Sequence, residues 1–270
     1  TPGITTVEMP MPASEPRPSG AGDSVQLFSS RSDDYARYRP TYPEALFAWL
    51  ASQCAATDSA LDLAAGNGQA SLPLTRHFRQ VLACDASAEQ LAAGDGWAHV
   101  QRFVAEAEHL PLRNGLLDLI VVAQALHWFA TPAFFAQARQ ALKPNGLFCA
   151  WCYSLLEVSP DVDAIINHLY HETLAGYWPA GRASVDAGYR DIRPPFACID
   201  TPPFALEAQW NLGELLGYLR TWSAVKQWQR QHGRDPIELH EPQILSAWGP
   251  PDQRRPVRWP LPFLTGFPNR

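Results

Sequence analysis

The sequence predicts an α/β fold with a mostly parallel central sheet, and three observations carry that prediction. Residues 60–63 form a short apolar run interrupted only by Asp62, which is typical of a buried parallel strand. A loop with Gly66 and Gly68 follows, and a second apolar run, residues 80–84, ends in Asp85. Segments with strand and helix patterns then alternate as far as about residue 153.

The remaining elements are predicted in chain order. Thr41 and Glu44 form a capping box that opens a helix to about residue 55, ahead of the first strand. A strand follows Asp118, a helix begins at Thr131 and runs to 142, and a strand covers residues 147–152. Beyond that point we expect a helix over 161–176, a strand around 197–208, further helices and a strand at 254–261.

The glycine loop predicts a nucleoside-binding unit. Gly66 and Gly68 permit a tight turn and a close approach of a ligand to the backbone, and the next helix presents unbonded amide groups at the same place. Asp85, at the carboxyl end of its strand, can accept hydrogen bonds from both hydroxyls of a ribose. A dinucleotide and S-adenosylmethionine both fit this arrangement.

Two residues favour S-adenosylmethionine. Asp62, just before the loop, would oppose a pyrophosphate but attract the ammonium of a methionyl group. Ser71 stands where the dinucleotide fingerprint has its third glycine. An NAD-dependent oxidoreductase is therefore the less favoured alternative.

On these residues the chain resembles the class I S-adenosylmethionine-dependent methyltransferases, the group that includes ubiquinone and menaquinone biosynthesis enzymes of methyltransferase type 11. LDLAAGNG, residues 61–68, is similar to the family's LDLGCGTG, with Ala64 for the first glycine and Asn67 for threonine. The resemblance makes Asp85 the ribose ligand and places Glu106, where the family usually has Asp, at the adenine amine. It implies a Rossmann-like seven-stranded sheet with helices on both faces, an antiparallel last strand and a helical lid.

A closer resemblance is to the small-molecule branch that includes trans-aconitate methyltransferase-like enzymes. It rests on YARYRPTYP at 35–43, ALHWF at 125–129 and TWSA at 221–224. Together the loop and the resemblance define a predicted set of cofactor-binding residues: Tyr35, Arg39, Asp62, Ala64, Gly66, Asn67, Gly68, Asp85, Ala86, Glu106, Ala107 and Gln124. Arg39 could bind a carboxylate of the cofactor or of an acidic acceptor, or pair with Asp33 or Asp34.

The domain organisation follows from the same patterns. Residues 1–23 are proline-rich and are expected to form a flexible tail, residues 24–153 the cofactor-binding core, and residues 154–270 a helical lid with the last two sheet strands. Those strands are expected at 197–208 and 254–261. Seven of the ten tryptophans lie beyond residue 150, which fits either an aromatic-lined acceptor pocket or a lid core.

The expected reaction is methyl transfer to a small-molecule acceptor, at the oxygen of a carboxylate or a hydroxyl. A general base is needed only if the acceptor arrives protonated, and His127 is the candidate because imidazole titrates near neutral pH. His127 could instead orient the acceptor or pack on Trp128. A non-catalytic nucleoside-binding or regulatory protein is the alternative, which Ala64 and Glu106 would suit.

Composition limits the partners. The net charge is −6 over 270 residues and the arginines are scattered, so no nucleic-acid partner is expected. No apolar run reaches the roughly 18 residues needed to span a bilayer, and no signal peptide is visible. We expect a cytoplasmic monomer or weak homodimer without a metal site.

Overall fold

The computed structural model describes residues 40–270. The predicted tail at 1–23, together with Tyr35 and Arg39, lies outside the described residues, as does the start of the core at 24–39. Within residues 40–270 the chain forms a six-stranded sheet and a separate two-stranded sheet. Their strands, in chain order, are β1 (Ser59–Leu63), β2 (Gln80–Asp85), β3 (Val100–Val104), β4 (Leu117–Ala123), β5 (Leu142–Trp151), β6 (Ala205–Trp210), β7 (Arg255–Pro260) and β8 (Phe263–Gly266).

The larger sheet has the order β3-β2-β1-β4-β5-β8. Strands β1 to β5 are parallel, and β8 runs antiparallel to β5. Along β1, Leu61 and Leu63 belong to one buried apolar cluster and Ala60 to the other, so both faces of the sheet are covered. The predicted α/β class, the mostly parallel sheet and the antiparallel last strand are confirmed.

The helices are short. They are α1 (Glu44–Gln53), α2 (Ser71–Leu74), α3 (Ala88–Ala93), α4 (Pro132–Ala141), α5 (Pro160–His168), α6 (Arg182–Asp186), α7 (Leu212–Arg220), α8 (Ser223–His232) and α9 (Glu241–Trp248). Helix α4 begins as predicted, because the Thr131 side chain accepts a hydrogen bond from Phe134 N at 3.2 Å. The capping box at Thr41 was wrong: Pro43, held extended, is the N-cap residue of α1, and no side chain caps that helix.

The two strands expected to complete the larger sheet instead pair with each other. Strand β6 lies antiparallel to β7 from Ala205–Pro260 to Trp210–Arg255, in a sheet of their own. Beside β8 a single bridge joins Cys198 to Gly266. Prolines at 194, 195, 202 and 203 flank Cys198 and cannot donate ladder hydrogen bonds, which explains why the larger sheet has six strands and not seven.

A buried carboxylate joins the starts of three strands. Asp118 Oδ2 accepts hydrogen bonds from the backbone N–H groups of Asp58 and Ser59, both at 3.0 Å, and Asp118 Oδ1 lies 2.8 Å from Lys143 Nζ. The Asp118 side chain is 5% exposed, against 52% for Asp58, which also approaches Lys143. Asp118 therefore fixes the positions of β1, β4 and β5 relative to one another.

Replacing Asp118 by alanine is expected to lower the free energy of unfolding by about 2–3 kcal/mol, because two amide groups lose their acceptor in a buried place. Asp58→Ala is the matched control, since its exposed ion pairs are worth less than about 1 kcal/mol. Urea unfolding of both variants measures the difference. Equal costs for the two variants would contradict this role for Asp118.

Candidate active site

The loop between β1 and α2 turns through left-handed backbone conformations. Gly66 has φ +55° and Gly68 has φ +89°, and Ala64 also has φ +58°. Glycine adopts this region freely, whereas for a residue with a Cβ the left-handed conformation raises the free energy of the folded state by roughly 1–2 kcal/mol. Ala64 thus holds a strained conformation at the position where the resembling family has glycine.

The Trp97 indole ring packs against this loop, which sequence reasoning missed. A Cβ on Gly68 would lie 2.5 Å from Trp97 Cη2, and a Cβ on Gly94 would lie 2.4 Å from Cζ2. The Arg102 guanidinium stacks 5.2 Å from the indole centroid. Only residues without side chains fit on both sides of the ring, so Gly68 serves the packing of the loop as well as its turn.

Asp85 is fixed at the carboxyl end of β2. Its Oδ2 accepts from Gly66 N at 2.9 Å and its Oδ1 from Ser87 N at 2.8 Å. Burial raises the pKa of Asp85 above its ordinary value, although the N–H groups of Ser87, Gly66 and Ala86 partly offset this. Each oxygen keeps a further lone pair, so the carboxylate can still accept from two hydroxyls.

Asp62 and Ser71 act as a pair behind the loop. Asp62 is 1% exposed, and its Oδ2 accepts a hydrogen bond from Ser71 Oγ at 2.6 Å. Ser71, noted in the sequence only as a missing glycine, therefore joins β1 to the start of α2. In the same loop the buried Oδ1 of Asn67 has no hydrogen-bond partner within residues 40–270, so it remains open to a donor on a ligand.

Glu106 and its neighbours lie at the next strand end. In the register of β2 and β3, Asp85 is opposite Val104, so Glu106 follows two residues past that pair. The Glu106 side chain is exposed and lies 3.5 Å from His109 Nδ1. Ala86 is exposed and Ala107 half-buried on the two connecting segments. The strand ends thus place Asp85 and Glu106 on one edge of the sheet, and their roles toward a ligand stay predictions.

Gln124, at the end of β4, uses its side chain on the neighbouring strand. Its Nε2 donates to Tyr153 O at 2.8 Å and its Oε1 accepts from Tyr153 N at 2.7 Å. Its backbone has φ +59°. The amide is therefore committed to aligning the ends of β4 and β5, and a role toward the cofactor would fall to its backbone.

His127 lies in the turn after β4, where its Nδ1 is 3.2 Å from the Tyr189 hydroxyl. Burial, and then the positive charge of Arg182, lowers the pKa of His127 to about 4. This lowered pKa disagrees with the premise that the imidazole titrates near neutral pH, because burial removes much of the water that would stabilise its charged form. At neutral pH it is an uncharged hydrogen-bonding group.

An NMR titration of the His127 imidazole is expected to place its midpoint near pH 4 and not near 6.5. Since the folded-state pKa is lowered, the neutral ring contributes stability that is present above pH 6.5 and is lost as pH falls towards 4. His127→Gln identifies the resonance and should flatten the stability curve over that interval. A midpoint above pH 6 would contradict the burial argument.

A cavity of about 100 Å³ lies between these strand ends and segments from the second half of the chain, the part predicted to form the lid. Gln124, His127, Trp128, Tyr153 and Ser154 line it from the core, and Trp178, Pro179, Ala180, Arg182, Tyr218, Thr221, Trp222 and Ser223 from the lid. Trp178 and Trp222 line this cavity, whereas Trp248 and Trp259 are fully buried core residues. The prediction of a tryptophan-rich core holds for the second pair, and the prediction of an aromatic-lined acceptor pocket stays a prediction.

Arg182, at the start of α6, is the charged residue of this cavity wall, and sequence reasoning missed it. Gly181, with φ +84°, precedes Arg182. A Cβ at this position would lie 3.0 Å from His127 Cδ2, so the absence of a side chain lets the backbone pass close to the His127 ring. Arg182 Nε donates to the Tyr170 hydroxyl and lies 3.6 Å from Asp186 Oδ1. Burial opposes the charge of Arg182, but Tyr170 and Asp186 more than offset it, so its pKa is raised. The sequence held one indication of this contact: Arg182 and Asp186 are four residues apart, the spacing at which opposite charges meet on one face of a helix.

The fold and site define a class: an α/β nucleoside-binding protein whose ligand lies across the carboxyl ends of parallel strands. The residues fit S-adenosylmethionine. Asp85 can accept hydrogen bonds from the ribose hydroxyls, and the glycine loop lets the ligand come close to the backbone. The negative charge of Asp62 would repel the pyrophosphate of a dinucleotide. Among residues 40–270 no three His, Cys, Asp or Glu side chains are grouped so as to hold a metal ion.

Comparison with known proteins narrows the class. The methyltransferase-domain family model matches residues 61–150. A Dictyostelium discoideum protein named "Putative methyltransferase" is 31% identical over 225 residues, covering 82% of this chain and 86% of that protein. The chain belongs to the S-adenosylmethionine-dependent methyltransferases of class I, and its cofactor is S-adenosylmethionine.

A solved structure that covers most of the chain supports the assignment. A "Putative Type II Methyltransferase" from Anaeromyxobacter dehalogenans superposes with a TM-score of 0.81 and 40% identity, covering 85% of this chain and 98% of that one. The malonyl-[acyl-carrier protein] O-methyltransferase of Geobacter sulfurreducens is 33% identical over 123 residues, 43% of this chain and 46% of that protein. Within residues 40–270 no helix has the length and apolar character to cross a bilayer.

Proposed function

We propose that this protein transfers a methyl group from S-adenosylmethionine to an oxygen, of a carboxylate or a hydroxyl, on a small-molecule acceptor. The observation that carries the proposal is the cavity beside the end of β4, two strands along the sheet from Asp85. Its mixed wall of aromatic and polar side chains is typical of sites that bind small organic molecules. The cofactor residues would be those around Asp62, Gly66, Asp85 and Glu106.

The chain's part in the reaction is positioning and the exclusion of water. When bound, S-adenosylmethionine supplies an electrophilic methyl group on a positively charged sulfur. Trp128, Trp178 and Trp222 line the cavity and would displace water from a bound acceptor, and holding the acceptor in line with the methyl group would contribute several kcal/mol to lowering the barrier. No covalent bond to the protein is required.

His127 supports a carboxylate over a hydroxyl as the acceptor. With a pKa of about 4 the imidazole is a weak base, so it would remove a hydroxyl proton inefficiently at neutral pH. A carboxylate arrives already deprotonated and needs no base. Within residues 40–270 His127 Nε2 has no hydrogen-bond partner, and it would orient the acceptor from the cavity wall. The printed name of the Geobacter relative, an O-methyltransferase, agrees with an oxygen acceptor.

The test is turnover with S-adenosylmethionine carrying a deuterated methyl group and a metabolite extract as the acceptor source. Mass spectrometry should find S-adenosylhomocysteine and at least one product with the labelled methyl group, and Asp85→Ala should form neither. Calorimetric binding of S-adenosylmethionine without any turnover would favour the non-catalytic alternative, to which the strained Ala64 points. Binding of NAD instead would overturn the proposal.

A further inference from the structure

The guanidinium of Arg182 is bonded on one side only. Its Nε donates to Tyr170, whereas Nη1 and Nη2 have no hydrogen-bond partner within residues 40–270. The side chain is 21% exposed, and the residue lines the cavity shared with His127 and Ser154. Its charge is already stabilised by Tyr170 and Asp186, so the two unused donor groups can bond to a ligand in the cavity.

Neighbouring side chains fix the direction of this group. The guanidinium carbon lies 5.0 Å from the Trp178 ring centroid and 5.3 Å from that of Tyr170. Asp186 Oδ1 accepts from the Tyr170 hydroxyl at 2.7 Å and from Ser154 Oγ at 2.6 Å. Asp186 Oδ1 is shared among these donors and approaches Arg182 at Nε, 3.6 Å away, so it leaves Nη1 and Nη2 to other partners.

We infer that Arg182 anchors the acceptor by donating from Nη1 and Nη2 to the two oxygens of a carboxylate. The planar fork of arginine matches a carboxylate, and a fixed fork loses little conformational entropy on binding. Arg182 would thus set the specificity for anionic acceptors and would touch the acceptor at the wall of the lid. This inference rests on the proposed function, because it assigns the acceptor to the same cavity.

The experiment titrates the full chain, saturated with S-adenosylhomocysteine, with acetate, succinate and benzoate and with the corresponding amides, following tryptophan fluorescence. At least one acid should bind about 10-fold or more tightly than its amide, because the neutral amide lacks the charge-assisted pair. Arg182→Gln should weaken acid binding about 10- to 100-fold, and Arg182→Lys, a point charge without the fork, by less. The exposed Arg230→Gln is the matched control and should bind acids as the native chain does.

The outcomes separate the two proposals. If S-adenosylhomocysteine binds but no acid is preferred to its amide, or Arg182→Gln binds acids as tightly as the native chain, the role of Arg182 is wrong and methyl transfer still stands. If S-adenosylhomocysteine does not bind the native chain, the proposed function itself fails. Calorimetry with S-adenosylhomocysteine shows whether each variant is folded; if Arg182→Gln is not, Arg182→Lys and the acid–amide comparison on the native chain decide.

Discussion

Replacing Asp85 by alanine is expected to lower the affinity for S-adenosylmethionine by about 100-fold or more. Two charge-assisted hydrogen bonds to ribose hydroxyls, each worth roughly 1.5–3 kcal/mol, would be lost. The same change leaves Gly66 N and Ser87 N without their acceptor, so the loop loses its tie to β2 as well. Isothermal titration calorimetry measures the affinity, and urea unfolding shows that the fold is retained.

Two further variants sharpen this result. Asp85→Asn keeps one acceptor oxygen, and its affinity should lie between those of the native chain and Asp85→Ala. Asp95→Ala removes an exposed carboxylate from the same connection between β2 and β3 and controls for the change of net charge. Unchanged affinity in Asp85→Ala, or an equal loss in Asp95→Ala, would refute the assignment of the ribose to Asp85.

Replacing Gly68 by alanine is expected to cost about 2–5 kcal/mol of stability. The backbone at φ +89° accounts for roughly 1–2 kcal/mol of this. The new Cβ would lie 2.5 Å from the Trp97 ring, and such overpacking costs typically about 1–3 kcal/mol more. The indole must move, so tryptophan fluorescence should change together with the unfolding midpoint, and cofactor affinity should fall.

A double-mutant cycle separates the two causes. In a Trp97→Ala background the ring is gone, and Gly68→Ala should cost only the backbone part, about 1–2 kcal/mol. Gly115→Ala, at a glycine with φ +62° and nothing within 4 Å of its Cβ position, is the matched control for backbone strain without a clash. A cost of Gly68→Ala that is the same with and without Trp97 would contradict the packing role of the ring.

The cofactor loop could be predicted because its determinants are local. Residues 61–68 specify a strand and a turn through their apolar run and glycines, and Asp85 follows after one connection of a parallel pair. The hydrogen bond from Gly66 N to Asp85 shows that these segments meet. Parallel strands in register bring their carboxyl ends together, so the strand pattern was enough to place Asp85 at this edge, whereas Glu106 was placed there by the family resemblance.

The later strands show what local pattern leaves open. Residues 205–210 and 255–260 are extended as expected, but an apolar alternation states only that a strand has a buried face, not which strand lies beside it. The prolines on both sides of Cys198 limit its pairing with β8 to a single bridge. Strand β6 pairs with β7 and not with the larger sheet. The capping box predicted at Thr41 does not form, because Pro43 and not Thr41 occupies the N-cap position of α1. Proline has no side-chain acceptor for the first amide groups of the helix.

The sequence by itself determined the class of fold, the cofactor loop and the carboxylate at the end of β2, since these depend on backbone freedom and residue order over some twenty-five positions. Only the tertiary structure decided which residues line the cavity and which pack against the loop. Arg182, Trp97 and Trp178 come from segments whose place depends on how the lid and the β2–β3 connection pack, and the neutral state of His127 depends on burial by Tyr189 and its neighbours. Burial and contact between distant segments set those properties, and no spacing along the chain encodes them directly.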